Sequence, residues 1–353
     1  MTRREMLMAT ASAPGLLLSP LGAATAVPNP NGRRGIGATP TGYMARMRAN
    51  REAKPPVDWI DYCHSLGLGG AETAAPPTDP EGIRNYRDKV ESYDMHVIFN
   101  VRLPNTEGDV PTFEIGVKSA KEIGAYGLHA ALTPRRYEQF DSFEAFKASF
   151  EKNQRTVALA EPVLRKYKIR LAIENHKGWR SAEQAAWLKR LSSEYVGVHF
   201  DFGNNVSLCE DPMQTLDNLL PYVTGGHIKD MAVAPYSDGF LLSEVVLGDG
   251  FLDLKTMVRK LREKDPNMAL DLETITRDPL KIPVFTDKYW VTFDDSYSPL
   301  PGRDLARTLE LVQKNPPKKP LPKTTGLSPA EQLKNEDENN LASVLYARAN
   351  LGL

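Results

Sequence analysis

Short apolar segments alternate with longer amphipathic segments along most of this chain. The short segments predict β-strands at 36–39, 67–72, 96–101, 126–131, 170–174, 197–201, 224–229 and 268–273. The longer segments carry apolar residues at helical spacing and predict helices at 80–92, 113–123, 143–166, 182–191, 212–220, 254–264 and 303–313. Strands that alternate with helices pair in parallel through right-handed crossovers, and eight such units close a barrel. The pattern therefore predicts a (β/α)8 TIM barrel.

An open, doubly wound α/β sheet is the alternative arrangement of these elements. We favour the barrel because no G-x-G-x-x-G turn follows the first predicted strand. The barrel is assigned residues 27–314. Residues 315–353 begin with a stiff Pro/Lys-rich spacer and continue as a helix, whose start is predicted by a capping box of Ser328 and Glu331. This tail is expected to pack on its own barrel or on a neighbouring subunit. The second alternative would make the protein a homo-oligomer.

A long segment between the eighth predicted strand and the last barrel helix interrupts the regular alternation. It is rich in aromatic residues, among them Phe285, Tyr289, Trp290 and Phe293. A loop of this length inside a compact domain is typical of a lid or a binding loop. We therefore expect the segment to lie over the mouth of the barrel.

The N-terminus resembles an export signal. Arg3 and Arg4 precede a weakly apolar stretch, and the small residues Ala24-Thr25-Ala26 follow it. The stretch is too short, and too interrupted by proline, to span a bilayer as a helix. We predict that residues 1–26 are a twin-arginine-type signal peptide and that the mature protein is periplasmic. A cytoplasmic protein with a basic N-terminus is the alternative.

The charge balance argues against two classes of partner. The 44 Lys and Arg residues are offset by 45 Asp and Glu residues, whereas a nucleic-acid or membrane-surface partner would favour a strongly basic face. We therefore predict no nucleic-acid partner, and no membrane contact beyond the export step. The two cysteines, Cys63 and Cys209, are too few for a disulfide scaffold, so buried free thiols are favoured over a single bridge.

Four potential metal ligands stand at the ends of the last four predicted strands: Glu174, Asp201, His227 and Glu273. In a parallel barrel these ends meet at the C-terminal mouth. Three neighbouring carboxylates would repel one another strongly, and a divalent cation removes that cost. One such residue alone is more typical of a cap or an ion pair, but four at equivalent positions predict one bound metal. The oxygen-rich set favours Mn²⁺, with Mg²⁺, Co²⁺ or Zn²⁺ as the alternatives.

The sequence around these residues resembles the xylose isomerase-like TIM barrels, a superfamily of sugar phosphate isomerases and epimerases. The resemblance covers about residues 36–313 and includes the ligand order Glu, Asp, His, Glu. The matching phrases are 172–176, 201–204, 227–230 and 247–250. The resemblance implies that Glu174 and Glu273 are both metal ligands and the catalytic acid/base pair. Ketose 3-epimerases carry a histidine three residues after the Asp ligand, whereas this chain has Asn204, which argues against ketose 3-epimerisation itself.

Other residues near the predicted strand ends are weaker candidates for contact with substrate. They are Glu72, His129, His176, Lys177, Asn204, Lys229 and Trp290. In the alternative interpretation, these side chains pack in the barrel wall, are solvated in a loop, or pack within the long aromatic segment. His199 faces the side opposite its neighbours in the sixth strand and is interpreted as structural.

These features favour an enzyme that removes a proton from the carbon next to a carbonyl, with isomerisation, epimerisation or β-elimination as outcomes. Because sugar phosphates are scarce outside the cytoplasm, the expected substrate is an unphosphorylated sugar or keto-sugar. An exported 3-keto-glycoside lyase or hydrolase is the nearest alternative. A nuclease of the endonuclease IV kind is disfavoured by the few histidines and the neutral charge. A non-catalytic sugar-binding barrel would be expected to lack one of the two glutamates.

Overall fold

The computed structural model describes residues 29–293 and 302–353, so the predicted signal peptide at 1–26 lies outside the described residues. The eight barrel strands are β1 (Gly37–Ala38), β2 (Gly70–Thr73), β3 (His96–Asn100), β4 (Gly127–Ala130), β5 (Leu171–Glu174), β6 (Val196–Asp201), β7 (Val223–Ile228) and β10 (Leu270–Leu272). They are parallel and close in the order β1-β10-β7-β6-β5-β4-β3-β2. The predicted TIM barrel is confirmed.

Helices surround the barrel. Within the described ranges they are α1 (Met44–Glu52), α2 (Trp59–Ser65), α3 (Pro80–Ser92), α4 (Val110–Ile123), α5 (Arg136–Gln139), α6 (Phe143–Tyr167), α7 (Ser181–Leu191), α8 (Pro212–Leu219), α9 (Leu254–Lys264), α10 (Asp287–Trp290), α11 (Gly302–Lys314) and α12 (Pro329–Leu351). Asp79, Ser142 and Asp253 cap the starts of α3, α6 and α9, each accepting a hydrogen bond from a backbone N–H of the first turn. These caps explain why the predicted starts of the three helices agree with the structure.

The first strand is shorter than predicted. β1 ends at Ala38 because the Thr39 hydroxyl accepts a hydrogen bond from the Thr41 N–H and starts a 3-10 helix, Pro40–Tyr43. This turn brings Gly42 against the end of the neighbouring strand β10. A Cβ added to Gly42 would lie 3.4 Å from the Cα of Glu273. The chain thus turns close to one of the predicted site residues directly after β1.

A buried ion pair closes the N-terminal end of the barrel interior. His96 Nε2 lies 2.8 Å from Asp271 Oδ1, and its Nδ1 lies 2.9 Å from the Arg33 carbonyl oxygen. The pair fits only because two strands carry glycine there: a Cβ at Gly37 would lie 1.8 Å from Asp271, and one at Gly70 would lie 2.1 Å from His96. The carboxylate and imidazole therefore fill the interior at the end opposite the predicted site.

A second, antiparallel sheet follows the seventh barrel strand and was not predicted. Its strands are β8 (Asp230–Tyr236), β9 (Gly239–Val245) and β11 (Leu280–Ile282), in the order β11-β9-β8. The dipeptide Asp238-Gly239 between two apolar runs is the sequence signal for its hairpin. The long aromatic segment after the eighth barrel strand is therefore not all loop, since it contributes β11 and the short helix α10.

The C-terminal helix α12 packs against the start of the barrel. Its capping box forms as predicted, with Ser328 and Glu331 exchanging hydrogen bonds. Glu336 accepts hydrogen bonds from the backbone N–H groups of Ala45 (2.9 Å) and Arg46 (2.7 Å), so it caps α1 from a distant part of the chain. Asn340 donates to the Gly42 carbonyl oxygen at 2.8 Å. The tail thus holds the turn that lies against Glu273.

Two further expectations concern cysteines and membrane segments. Both cysteines are buried free thiols, as predicted. No helix within the described residues combines the length and the apolar character needed to cross a bilayer.

Candidate metal centre and active site

The predicted ligands come together at the C-terminal mouth of the barrel. Glu174 and Asp201 are the last residues of β5 and β6, His227 lies near the end of β7, and Glu273 directly follows β10. All four side chains are buried. Glu174, Asp201 and His227 each offer one ligand atom, and these atoms lie within 4.8 Å of one another. Such a buried carboxylate and imidazole cluster could hold a divalent metal.

The orientation of His227 fits a metal ligand. Its Nε2 lies 2.9 Å from Glu72 Oε2, and its Nδ1, which has no hydrogen-bond partner within the described residues, lies 3.7 Å from Glu273 Oε2. A carboxylate on one ring nitrogen fixes the tautomer that leaves a lone pair on the other, as in most metal-binding histidines. The buried Nδ1 therefore points to a positively charged partner at the mouth.

The carboxylates at the mouth already attract a cation. Lys229 Nζ lies 2.9 Å from Asp201 Oδ2 and 2.7 Å from Glu273 Oε2. Burial alone would lower the pKa of this lysine, but Asp201 and Glu273 outweigh burial and raise the pKa above its ordinary value. Burial also raises the pKa of Asp201 well above its ordinary range, and the nearby Glu273 and Glu174 add to the rise against the effect of Lys229. The carboxylates therefore repel one another, and a divalent ion would relieve that repulsion.

Asn204 links three of the site residues. Its amide nitrogen donates to Glu174 Oε1 at 3.1 Å and also to Asp201, and its oxygen accepts from Lys177 Nζ at 2.5 Å. It is fully buried at the start of a 3-10 helix, Asn204–Leu208. Burial lowers the pKa of Lys177 to about 8, and the positive charge of Lys229 adds to the effect. Asn204 thus orients two carboxylates, where the ketose 3-epimerases implied by the resemblance carry a histidine.

A neighbouring asparagine fixes the backbone of Asp201. Asn175 Oδ1 accepts from the Asp201 N–H at 2.6 Å, and Asn175 Nδ2 donates to the Asp201 carbonyl oxygen at 3.0 Å. These two bonds tie the ends of β5 and β6 together. Sequence reasoning placed Asn175 in a matching phrase without giving it a role, because the bond depends on the register between the two strands.

Glu72 and His129 lie below the carboxylates, in the barrel wall. Glu72 accepts hydrogen bonds from Thr39 Oγ1 at 3.0 Å and Asn100 Nδ2 at 2.9 Å, besides its contact with His227. His129 Nδ1 lies 2.5 Å from Asn100 Oδ1, and its Nε2 lies 3.4 Å from Glu174 Oε2. Both side chains are buried, and His129 Nε2 has no hydrogen-bond partner within the described residues. The structure therefore places them behind the ligands, in contact with His227 and Glu174.

The remaining two candidates, His176 and Trp290, form hydrogen bonds with the backbone. His176 is half-buried and its Nδ1 lies 2.5 Å from the Thr133 carbonyl oxygen. Trp290 is also half-buried, and its indole N–H donates to the Val284 carbonyl oxygen at 2.9 Å. Its ring packs against Tyr289, which is buried. His176 Nδ1 and the Trp290 indole N–H are therefore directed to backbone carbonyl oxygens.

One charged pair near the site was missed from the sequence. Arg277 Nη2 donates to Glu244 Oε1 at 2.7 Å, and Glu244 is almost fully buried. Burial would raise the pKa of Glu244, but Arg277, Lys229 and Lys177 outweigh it and lower the pKa to about 2. Glu244 lies on β9 of the unpredicted sheet, so only the tertiary structure brings it to the mouth.

The fold and the sequence together assign the chain to a family. The sequence model of the family "Xylose isomerase-like TIM barrel" matches residues 60–288. The chain belongs to this family.

Individual relatives are distant. The uncharacterized protein YihM of Escherichia coli K12 is 21% identical over 223 residues, which are 62% of this chain and 66% of that protein. The 3-oxo-isoapionate decarboxylase of Pectobacterium atrosepticum is 28% identical over 109 residues, which are 30% of this chain and 40% of that enzyme. The matches thus span less than two thirds of either relative.

A solved structure shares the fold. The crystal structure of D-psicose 3-epimerase in the presence of D-fructose superposes with a TM-score of 0.53 and 16% identity, covering 84% of this chain and 93% of that chain. This likeness shows the architecture.

Proposed function

We propose that this protein is a divalent-metal-dependent isomerase or epimerase that removes a proton next to the carbonyl of an unphosphorylated sugar. The observation that carries the proposal is the convergence of three carboxylates and one imidazole at the barrel mouth. The proposed metal ligands are Glu174, Asp201, His227 and Glu273. Mn²⁺ is the preferred ion, with Mg²⁺, Co²⁺ or Zn²⁺ as the alternatives.

The proposed acid and base are Glu174 and Glu273. When bound, a divalent ion supplies polarisation of the substrate carbonyl and stabilises the negative charge of the enediolate. Glu174 is the last residue of β5 and Glu273 directly follows β10. Because β6 and β7 separate these two strands in the barrel, the glutamates are proposed to approach a substrate from different sides. One carboxylate can then accept the proton while the other returns a proton to the same or the adjacent carbon.

Neighbouring protein groups keep Glu174 in its ionised form. Burial would raise its pKa, but the bond to His129 and the nearby His176 and His227 outweigh burial and lower the pKa. The carboxyl group is therefore ionised at neutral pH, and its lowered pKa makes it a weaker base than an ordinary glutamate, so proton removal relies on acidification of the substrate C–H by the proposed metal. Lys229 orients Glu273, because its ammonium donates to one oxygen of that carboxylate.

The substrate is proposed to be unphosphorylated because residues 1–26 are predicted to be a twin-arginine-type signal peptide. A second candidate is a lyase acting on a 3-oxo sugar or a 3-keto-glycoside. The 3-oxo-isoapionate decarboxylase relative favours this candidate, since loss of a group next to a carbonyl also proceeds through an enolate. The same glutamates would serve either reaction.

Metal binding provides the first test. Asp201→Ala is expected to weaken Mn²⁺ binding at the mouth by on the order of 10²-fold or more, because it removes a charged ligand. The measurement is the loss of the electron paramagnetic resonance signal of free Mn²⁺ on titration with protein. Asp217→Ala, which removes an exposed aspartate from α8, is the matched control and should bind as the wild type does. Equal Mn²⁺ affinity in both variants would contradict the ligand assignment.

Hydrogen exchange tests the reaction itself. The Mn²⁺-loaded protein is incubated in D₂O with a panel of unphosphorylated ketoses, aldoses and 3-keto-glycosides and followed by proton NMR. We expect metal-dependent deuterium incorporation at the carbon next to the carbonyl of at least one compound. A conserved carbon skeleton identifies an isomerase or epimerase, whereas a released group identifies the lyase. A sugar that binds without exchanging would instead make this protein a sugar-binding barrel.

A further inference from the structure

A second set of potential ligands lies one layer deeper in the barrel. It consists of Glu72 on β2, His129 on β4, His199 on β6 and His227 on β7. Each side chain offers one ligand atom, and these atoms lie within 4.8 Å of one another. All four side chains are at least 95% buried. Four strands of the barrel therefore direct three imidazoles and one carboxylate towards a common point.

His199 is the residue that the site at the mouth does not explain. It precedes Asp201 by two residues, so its side chain enters the barrel on the same face, about 7 Å further from the mouth. Its ring centroid lies 4.2 Å from that of His227 and 4.6 Å from that of His129. Neither ring nitrogen has a hydrogen-bond partner within residues 29–293 and 302–353. A buried imidazole without partners is costly, so a ligand for it is expected.

The two nitrogens of His227 point to different places. Nδ1 lies towards Glu273 at the mouth, whereas Nε2 lies 2.9 Å from Glu72 in the deeper layer. An imidazole ring can therefore serve both layers, with one nitrogen in each. An ordered water is the other possible partner of His199, since a small cavity bounded by Ala172 and Thr224 reaches the ring. Water at that position leaves the close approach of the three imidazoles unexplained.

We propose that Glu72, His129, His199 and His227 form an inner metal site, which shares His227 with the site at the mouth. Three nitrogen ligands and one oxygen favour Zn²⁺ or Co²⁺ over Mg²⁺. Binding replaces the proton shared by His227 Nε2 and Glu72 Oε2, and this proton is released to solvent, so that His227 bridges as an imidazolate when its Nδ1 also holds an ion at the mouth. Four protein ligands leave no open position, so the ion is structural and fixes the ring of His227. The inner site does not depend on the proposed reaction.

Metal counting tests the inner site. Wild-type protein loaded with Zn²⁺ and then dialysed against excess Mg²⁺ is expected to retain one Zn²⁺ per chain, measured by elemental analysis. His199→Leu should lose this ion, whereas Asp201→Ala, which affects only the mouth, should keep it. His64→Leu is the matched control, because His64 lies on α2 and stacks on Tyr93, away from the barrel interior. Equal Zn²⁺ content in His199→Leu and wild type would overturn the proposal, as would no retained Zn²⁺ in wild type.

A substituted ligand gives a second readout that does not require loss of the site. His199→Cys loaded with Co²⁺ is expected to show a thiolate-to-cobalt charge-transfer band in the near ultraviolet, absent from the wild type and from His64→Cys. This spectrum decides the question if His199→Leu fails to fold. Absence of the band in folded, Co²⁺-loaded His199→Cys overturns the inner site, while Mn²⁺ binding at the mouth remains testable with Asp201→Ala.

Discussion

Replacing Glu273 by glutamine is expected to reduce α-proton exchange by about 10²- to 10⁴-fold while Mn²⁺ stays bound. The amide keeps an oxygen that can ligate the ion, but it has no basic oxygen that can accept a proton. Lys229 still has Asp201 as a partner in this variant, so the mouth should keep its shape. The measurement combines exchange rates by NMR with Mn²⁺ titration of the same sample.

The control for this variant is Glu151→Gln, which changes an exposed glutamate on α6. It should exchange at the wild-type rate. Unchanged exchange in Glu273→Gln would remove this residue from the acid/base pair and would leave Glu174 as the remaining candidate. Reduced exchange together with lost Mn²⁺ would show that Glu273 acts mainly as a ligand.

The largest expected loss of stability follows from Asp230→Ala. This buried carboxylate accepts hydrogen bonds from the backbone N–H groups of Met231 (2.9 Å), Gly248 (2.9 Å), Gly250 (2.9 Å) and Leu252 (3.2 Å). Removing it leaves those N–H groups without their acceptor in the interior, which costs about 3–5 kcal/mol in the free energy of unfolding. Urea denaturation measures the change as a lower midpoint.

The matched control is Asp249, which lies in the loop whose backbone N–H groups bind Asp230. Asp249→Ala removes a carboxylate that pairs with the exposed Lys319, so it should cost about 1 kcal/mol or less. Similar midpoints for Asp230→Ala and Asp249→Ala would contradict the assigned role of Asp230. The denaturation midpoint of Asp230→Asn should fall between the midpoints of these two variants. Its amide keeps one acceptor oxygen, but its NH₂ group faces backbone N–H donors.

Asp230 also joins two separate phrases of the sequence in space, because backbone N–H groups of the second phrase donate to its carboxylate. Residues 227–230 run from the end of β7 to the start of β8, and residues 247–250 form a loop after β9. Gly250 approaches Asp230 so closely that an added Cβ would lie 2.1 Å from its Oδ1. The sequence identified both phrases as matching one family, but their contact became clear only in three dimensions.

The sequence by itself determined the fold and the positions of the proposed ligands. Alternating apolar and amphipathic segments have only a few compatible architectures, and the order of strands then fixes which chain ends share the mouth. Glu174, Asp201 and Glu273 could be located because each ends an apolar strand, a signal that depends only on neighbouring residues. The start of α12 was likewise predictable, since a capping box is a local interaction.

The tertiary structure decided everything that depends on strands distant in the chain. Whether Glu72 contacts substrate or His227 depends on the register of β2 relative to β7 across the barrel, which no local pattern encodes. The approach of His199 to His129 and His227 has the same origin, because three separate strands supply the rings. Hydrophobic periodicity records which face of a strand is buried, but only closure of the barrel determines which buried polar groups meet.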